Sequence, residues 1–548
     1  MAVESRLNRS MIEQYTNAGY WPNLTICDYL DAAVARYPDK DAIVDRFGRV
    51  TYRQLGDLVD RVALGLLEMG VKKNEFVSFQ LPNWRQFVII HFALSRIGAL
   101  SNPIVPIYRH SEIRFMLDLC QSVAMIVPEE FRGFDYPAMM QDLWPQLPAL
   151  KHVFVLGDRV PKGMQSFDSF MATPWEERRD RRHLAALRPD PNDLTEVIFT
   201  SGTTGEPKGV MHTHNTLISP VVAKIENLGL APDDVLLMAS TFGHQTGLLY
   251  GVRMPTMLGA KAVYMDIWNG DEAIALIERE GVTYSMGATP FLSDLTYSSA
   301  VARHNIDSFR YFVCGGAAIP RKLVRDAQET LKIRVSAGWG MTEDAMVTMN
   351  RPDDPEEKIC SADGRALPGM EVKVVDDRLQ AVPLGEEGEL LARGPFTFIG
   401  YYKRPQFTAE AFVEDDWLDT GDRATMDADG YVSISGRTKD IIIRGGENIS
   451  VAEVENLLHL HPKVANVAIV GMPDPRLQER ACAYVVLKPG ETSLTLEEVT
   501  AFLNQHKLAK QKYPERVEVV DAFPMTASGK IQKYRLRQDI REKVAQEQ

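Results

Sequence analysis

Thr200-Ser201-Gly202-Thr203-Thr204-Gly205-Glu206-Pro207-Lys208-Gly209 follows the apolar run Val197-Ile198-Phe199 and leads into Val210-Met211, so it reads as a loop leaving the end of a strand. Its three glycines, four hydroxyls and one lysine come without a single large apolar side chain, and such a segment cannot build a core. It can bring backbone N–H groups against an anion, because glycine lets the main chain approach closely and take positive φ. The hydroxyls can donate to phosphate oxygens or ligate a hard cation such as Mg2+. The spacing is not that of a Walker loop, because Pro207 stands fifth after Gly202, where that pattern requires glycine. A flexible linker is the plain alternative, but linkers seldom follow a strand directly. A polyphosphate ligand is the better reading.

Outward from this loop the chain predicts an α/β, multidomain protein. From about Leu24 to Leu187, amphipathic helical patterns such as Leu55–Met69 alternate with short apolar strands such as Val77–Leu81 and Ala124–Val127, which implies a parallel sheet packed with helices. The alternation resumes after the loop, with strands near Val235–Met238, Ala262–Tyr264, Thr283–Met286 and Arg310–Val313. Between about Arg351 and Arg437 the texture changes to short strands separated by turns, an antiparallel, barrel-like unit. A small α+β domain follows. The expected division is a body over 1–437, made of α/β subdomains at 24–190 and 191–350 and a β-rich subdomain at 351–437, and a C-terminal domain over 438–548.

Composition excludes several classes. The formal net charge of −13 argues against nucleic acid as the main partner. The five cysteines are scattered and never in a C-x-x-C pair, which fits reduced thiols in a cytoplasmic protein and no zinc site. The most apolar long stretch, Phe87–Leu100, is interrupted by His91, Ser95 and Arg96 and is too short to span a bilayer. No apolar leader opens the chain, so the sequence reads as soluble.

Further stretches follow the loop: Gly315-Gly316-Ala317-Ala318-Ile319-Pro320, Gly338-Trp339-Gly340-Met341-Thr342-Glu343, Gly394-Pro395 with Gly400-Tyr401-Tyr402, and Thr420-Gly421-Asp422. Gly436-Arg437-Thr438-Lys439-Asp440, Gly445-Gly446-Glu447-Asn448-Ile449 and Pro524-Met525-Thr526-Ala527-Ser528-Gly529-Lys530 complete the set. Together they resemble the adenylate-forming superfamily of acyl-CoA synthetases, adenylation domains and firefly luciferase. The likeness runs over about Asp28–Arg537, and eight stretches in order are far more specific than any one of them.

The resemblance implies a two-step reaction with ATP, Mg2+ and coenzyme A. A carboxylate attacks the α-phosphate of ATP, and a thiol then displaces AMP to give a thioester. Thr200, Ser201, Gly202, Thr203, Thr204, Gly205 and Lys208 would cradle the pyrophosphate portion, with Thr204 and Glu343 holding or orienting Mg2+. Gly315, Gly316 and Ala317 would lie along adenine, and Trp339, Gly340, Met341 and Thr342 would complete the nucleotide site. Trp339 departs from the tyrosine that most relatives carry. Asp422 would accept both ribose hydroxyls, with Arg437 beside it. Lys530 would reach the α-phosphate and the acyl carboxylate; an exposed lysine in a tail with ten basic and six acidic residues over 503–548 is the plainer alternative. His244 would contact the carboxylate, whereas a lone histidine is more often structural. His212 and His214 stand where relatives start a helix, and a metal there is disfavoured. Lys439 would be the hinge of a mobile C-terminal domain, and Gly445, Gly446 and Glu447 would line the CoA path.

The acyl pocket is expected from Phe242, Gly247, Gly287, Gly338 and Met346, with the glycines leaving space. No acidic residue lies between Met238 and Met254, where amino-acid-activating relatives place an aspartate. An uncharged acid is therefore favoured, and the chain most resembles short/medium-chain fatty-acid and cyclohexanecarboxylate CoA ligases. A benzoate-type aryl-CoA ligase and an adenylation enzyme loading a carrier protein are the alternatives. A catalytically dead nucleotide-binding scaffold should have lost Glu343, Asp422 or Lys530, and all three are present. The resemblance leaves two further partners open: a lysine acetyltransferase and its deacetylase acting on Lys530, and a second copy of the chain in a homodimer.

Overall fold

The computed structural model describes residues 4–200, 207–315, 319–437, 440, 442–444, 447–449, 451–474, 477–506, 508, 510–525 and 530–547. Two mostly parallel sheets share one apolar core. The first has seven strands in the order Lys208–Thr213, Leu194–Thr200, Leu100–Pro103, Phe76–Phe79, Ala124–Pro128, His152–Leu156 and Gln165–Ser166. Strands such as Phe76–Phe79 and Ala124–Pro128 are buried along their whole length, which is why they read as continuous apolar runs and do not alternate.

The second sheet has nine strands. Arg334–Met341, Tyr311–Gly315, Tyr284–Gly287, Val235–Met238, Lys261–Tyr264 and Asp41–Asp45 run parallel, with antiparallel strands at both edges. Here the expected boundary between 24–190 and 191–350 is crossed in both directions. The hairpin Leu194–Thr213 pairs into the first sheet, and the hairpin Asp41–Thr51 pairs into the second through Ile43 opposite Ala262. Strand pairing over such separations leaves no local mark on sequence texture.

Between the sheets lies the helix Arg85–Ile97, in which every residue after Arg85 is buried. Burial on all sides makes a helix apolar all round, which accounts for the hydropathy of Phe87–Leu100. Among the described residues no helix is long and apolar enough to cross a membrane.

The strands Glu371–Val375, Gly388–Arg393, Phe412–Val413, Trp417–Met426 and Val432–Arg437 form an antiparallel sheet in which Trp417–Met426 is shared by three neighbours. A separate C-terminal domain follows. Its five-stranded sheet, built around Val464–Asp474 and Gln478–Leu487, packs helices Val451–Leu458, Leu496–Gln505 and Lys533–Glu547 over two apolar clusters drawn only from residues beyond Arg437.

Candidate active site

Thr200 pairs with Lys208, so the two residues that flank the centre of the glycine- and hydroxyl-rich stretch are held together at the edge of the first sheet. Ser201, Gly202, Thr203, Thr204 and Gly205 lie outside the described residues. Lys208 turns its Nζ to the rings of Tyr401 and Phe407, 4.9 and 4.7 Å from their centroids. The strand leaving the loop docks on Ile399–Tyr402: the Met211 N–H donates to the Gly400 carbonyl at 3.0 Å, and the Tyr402 N–H donates to the Gly209 carbonyl at 2.8 Å. The loop's exit is thereby fixed to the segment that carries Tyr401.

That segment also holds Glu343. The Tyr401 hydroxyl donates to Glu343 Oε1 at 2.8 Å, and the Phe398 N–H donates to the Glu343 carbonyl at 2.6 Å. From the other side His212 Nε2 donates to the Thr342 carbonyl at 2.8 Å, while its Nδ1 lies 3.0 Å from Thr216 Oγ1. Burial holds the His212 imidazole down at about 4, so it is neutral and carries the one proton this geometry needs. Its neighbour His214 receives the Ile26 N–H on Nδ1. Both rings of the H-x-H pair are thus engaged by protein groups.

Next to Glu343, Asp344 is fully buried, and among the described residues neither of its carboxyl oxygens makes a well-formed hydrogen bond. Burial first, then the charges of Glu343 and Asp422, push it well above the carboxylate range. Asp344 is thereby held toward its neutral form, so Glu343 and Asp422 are the acidic groups left to face a ligand. Hard oxygens beside the glycine- and hydroxyl-rich stretch are of the kind that suits Mg2+, which takes one or two carboxylates together with substrate phosphates.

Asp422 is held by an unexpected donor. Trp339 Nε1 donates to Asp422 Oδ2 at 2.8 Å, tying the second sheet to the β-rich subdomain. The Asp422 N–H donates to Thr420 Oγ1 at 3.1 Å, and Asp422 stands directly opposite Arg437 in the ladder. The Arg437 side chain, Gly316 and Ala317 lie outside the described residues. Gly340 and Met341 end the strand that carries Trp339, and Thr342 and Glu343 stand in the turn that follows it.

At the glycines of the expected pocket and of the nucleotide site, an added side chain would meet neighbouring atoms. A Cβ on Gly247 would sit 2.2 Å from the Thr241 carbonyl, one on Gly340 1.7 Å from the Ala345 carbonyl, and one on Gly315 2.7 Å from the Gly338 carbonyl. Over Gly338 lies the Met346 sulfur at 2.9 Å, and over Gly287 the Phe291 ring at 3.0 Å. The room these residues leave is filled by backbone or by a neighbouring side chain, so they permit close strand and turn packing. Phe242 is fully buried, edge-on to Phe87 and Tyr264 at centroid distances of 5.3 and 4.7 Å, and belongs to the inter-sheet core.

His244 caps a short helical turn, its Nδ1 accepting the Thr246 N–H at 3.2 Å. Burial, and then the positive charge of Lys530, hold the imidazole down at about 3. Lys530, from the C-terminal domain, is therefore turned toward the body and lies within electrostatic reach of His244. The aromatic side chain of Tyr534, a few residues on, likewise acts on Tyr108 of the body. Lys439, Gly445, Gly446 and the Glu447 side chain lie outside the described residues; beside them, Arg537 Nη1 pairs with Asp440 Oδ1 at 2.6 Å.

Sequence reasoning does not single out Tyr401 or His212 as the groups that fix Glu343, nor Asp344. The Tyr401 signal was present in Gly400-Tyr401-Tyr402, whereas His212 needed the fold to bring Thr342 to it.

Residues 30–402 match the model of the AMP-binding enzyme family, and residues 453–530 match that of the AMP-binding enzyme C-terminal domain. Among curated proteins, the medium-chain fatty-acid–CoA ligase of Escherichia coli (strain K12) is 39% identical over 100% of this chain and 96% of the relative. The 2,3-dihydroxybenzoate-AMP ligase of Bacillus subtilis (strain 168) is 34% identical over 97% of each. Among solved structures, an anthranilate CoA ligase in complex with anthranoyl-AMP superposes with a TM-score of 0.86 at 26% identity, covering 95% of this chain and 98% of that one.

Proposed function

The chain belongs to the AMP-binding enzyme family and is an AMP-forming acid–thiol ligase, and we propose that its acid is an uncharged, largely apolar one of short to medium chain or alicyclic form. The observation that carries this is the stretch Ala239–Arg253. It contains no acidic residue to hold a substrate ammonium, and it buries Leu248, Leu249 and Val252 against the second sheet. The similarity to the medium-chain ligase of Escherichia coli supports it. An aryl acid is the second reading, and the similarity to the 2,3-dihydroxybenzoate ligase favours it.

In the first step the acid's carboxylate oxygen bonds to the α-phosphorus of ATP and pyrophosphate leaves. Negative charge grows on the phosphate oxygens, and preorganised donors and cations lower that barrier most. We assign Thr200–Lys208 to the pyrophosphate portion and Lys530 to the oxyanion at the α-phosphorus. Mg2+, which Thr204 and Glu343 would hold, screens the phosphate charge when bound. Tyr401 and His212 keep Glu343 in place. Asp422, its orientation set by the Trp339 indole, accepts the ribose hydroxyls, and Arg437 adds a contact beside it. Neutral His244 faces the acid's carboxylate without adding charge.

In the second step the CoA sulfur bonds to the acyl carbon and AMP leaves. The C-terminal domain turns about Lys439, withdrawing Lys530 and bringing Gly445, Gly446 and Glu447 to the CoA arm. Pyrophosphate exchange over a panel of straight-chain, alicyclic and aryl acids tests the assignment. Fastest exchange with a straight-chain or alicyclic acid supports it; fastest exchange with an aryl acid transfers it to the second reading, and ADP as the product overturns both.

A further inference from the structure

Lys224, on the helix His214–Leu228, is fully buried, and among the described residues no oxygen accepts from its ammonium. Its Nζ lies 3.7 Å from the centroid of the Tyr250 ring, 5.7 Å from that of Tyr284, and 2.7 Å from Met286 Sδ. A thioether is a weak acceptor and a ring face takes a cation on one side only, so N–H donors remain unused. Among the described residues the Tyr284 hydroxyl has no hydrogen-bond partner either, and that of Tyr250 lies beside the Met346 backbone without a well-formed bond. Three polar groups without proper acceptors at one buried point are costly, and folded proteins seldom keep such groups without a reason.

Their position supplies one. Contacts lead from Asp422 to Trp339, along the strand to Gly338, over Gly338 to Met346, and through Tyr250 to Lys224. Met346 lies against Gly338 of the strand that carries Trp339, and Met286 lies against the lysine. Both are flexible thioethers that can repack around a guest.

We propose that Lys224, with the hydroxyls of Tyr250 and Tyr284, forms the polar far end of the acyl pocket and selects acids that carry an uncharged oxygen acceptor, a keto or hydroxyl group, away from the reacting carboxylate. This rests on the ligase reading above and narrows its acid. The acceptor would take the N–H and O–H donors that the protein leaves unmet, while Tyr250, Met286 and Met346 keep the remaining wall apolar. Burial holds the Lys224 ammonium well below the ordinary lysine range, which favours a neutral acceptor over a second carboxylate.

The experiment measures pyrophosphate release by the full-length enzyme with ATP, Mg2+ and CoA. Plain alkanoates are compared with keto, hydroxy and dicarboxylic acids of equal length, in the wild type, Lys224→Met and Tyr284→Phe. In the wild type the best keto or hydroxy acid should exceed its parent in kcat/KM by about 10²-fold, because a site built to bond an oxygen rejects the analogue without one. Lys224→Met should bring that ratio near one, and Tyr284→Phe should reduce it by roughly tenfold, about one hydrogen bond's worth. Should Lys224→Met fail to fold, the single oxygen removed in Tyr284→Phe decides. A wild type that uses the parent acid equally well, or a ratio unmoved in the variants, overturns the proposal, as does a preference for dicarboxylates. AMP formation with an unmoved ratio sinks this inference alone, whereas no AMP with any acid sinks the ligase reading with it.

Discussion

Replacing Trp339 by phenylalanine removes one N–H and keeps an aromatic face. The bond lost is short, 2.8 Å, and both partners are buried, Trp339 at 7% and Asp422 at 5% exposure, so water cannot replace it freely. A hydrogen bond to a charged group contributes about 1.5–3 kcal/mol, which corresponds to roughly 10- to 150-fold in affinity. Asp422 keeps its charge but loses the donor that orients it toward the ribose. The KM for ATP should therefore rise by that factor with kcat nearly unchanged, the pattern of an interaction equal in ground and transition states. Pyrophosphate release at saturating acid measures it, run in parallel with 2′,3′-dideoxy-ATP, which lacks the hydroxyls assigned to Asp422. Trp339→Phe should hurt ATP far more than the dideoxy nucleotide. An equal loss with both would show that the indole only fills space, and the orienting role would fall.

Lys530→Ala should slow adenylate formation by about 10²–10³, the size of losing one preorganised charge stabiliser, and leave CoA attack on a supplied acyl-adenylate largely intact; equal loss of both half-reactions would refute its role. Lys439→Pro fixes φ near −65° and should stop the domain rotation, so thioester formation falls while adenylation survives; an unchanged second step would remove the hinge. Burial holds His212 at about 4, so as pH falls from about 6.5 toward that value the unfolded chain takes up a proton that the folded one refuses, and stability is lost. His212→Gln escapes that loss. Its stability deficit against the wild type in urea unfolding should therefore shrink by roughly 2 kcal/mol between pH 7.5 and 5, at 1.36 kcal/mol for each unit below 6.5. A deficit that does not change with pH would mean that His212 takes up its proton equally in the folded and unfolded chain, and the burial argument would fall.

The loop at Thr200–Gly209 and its flanking strands are legible from the residues because their chemistry is local: apolar runs, then glycine and hydroxyls, then apolar again. Glu343, Asp422 and Lys530 are legible because each stands in a short motif. What packs over Gly247, Gly338 and Gly340 is not legible, because composition shows a missing side chain but not what approaches it. A carbonyl 2.2 Å from a Cβ on Gly247 is a tertiary fact. Lys224 escapes notice for the opposite reason. Lysines almost always face water, and only packing shows that this one sits against Tyr250.

The exchange of hairpins between the two parallel sheets bears on how the chain can be divided. A gene split between codons 190 and 191 would give a first half that lacks Leu194–Thr213 at the edge of its own sheet, and a second half that lacks Asp41–Thr51. Each half by itself would leave its sheet without a hairpin that completes it. Produced together, however, each holds the piece the other needs, so reconstitution of ligase activity from the two fragments would report their assembly.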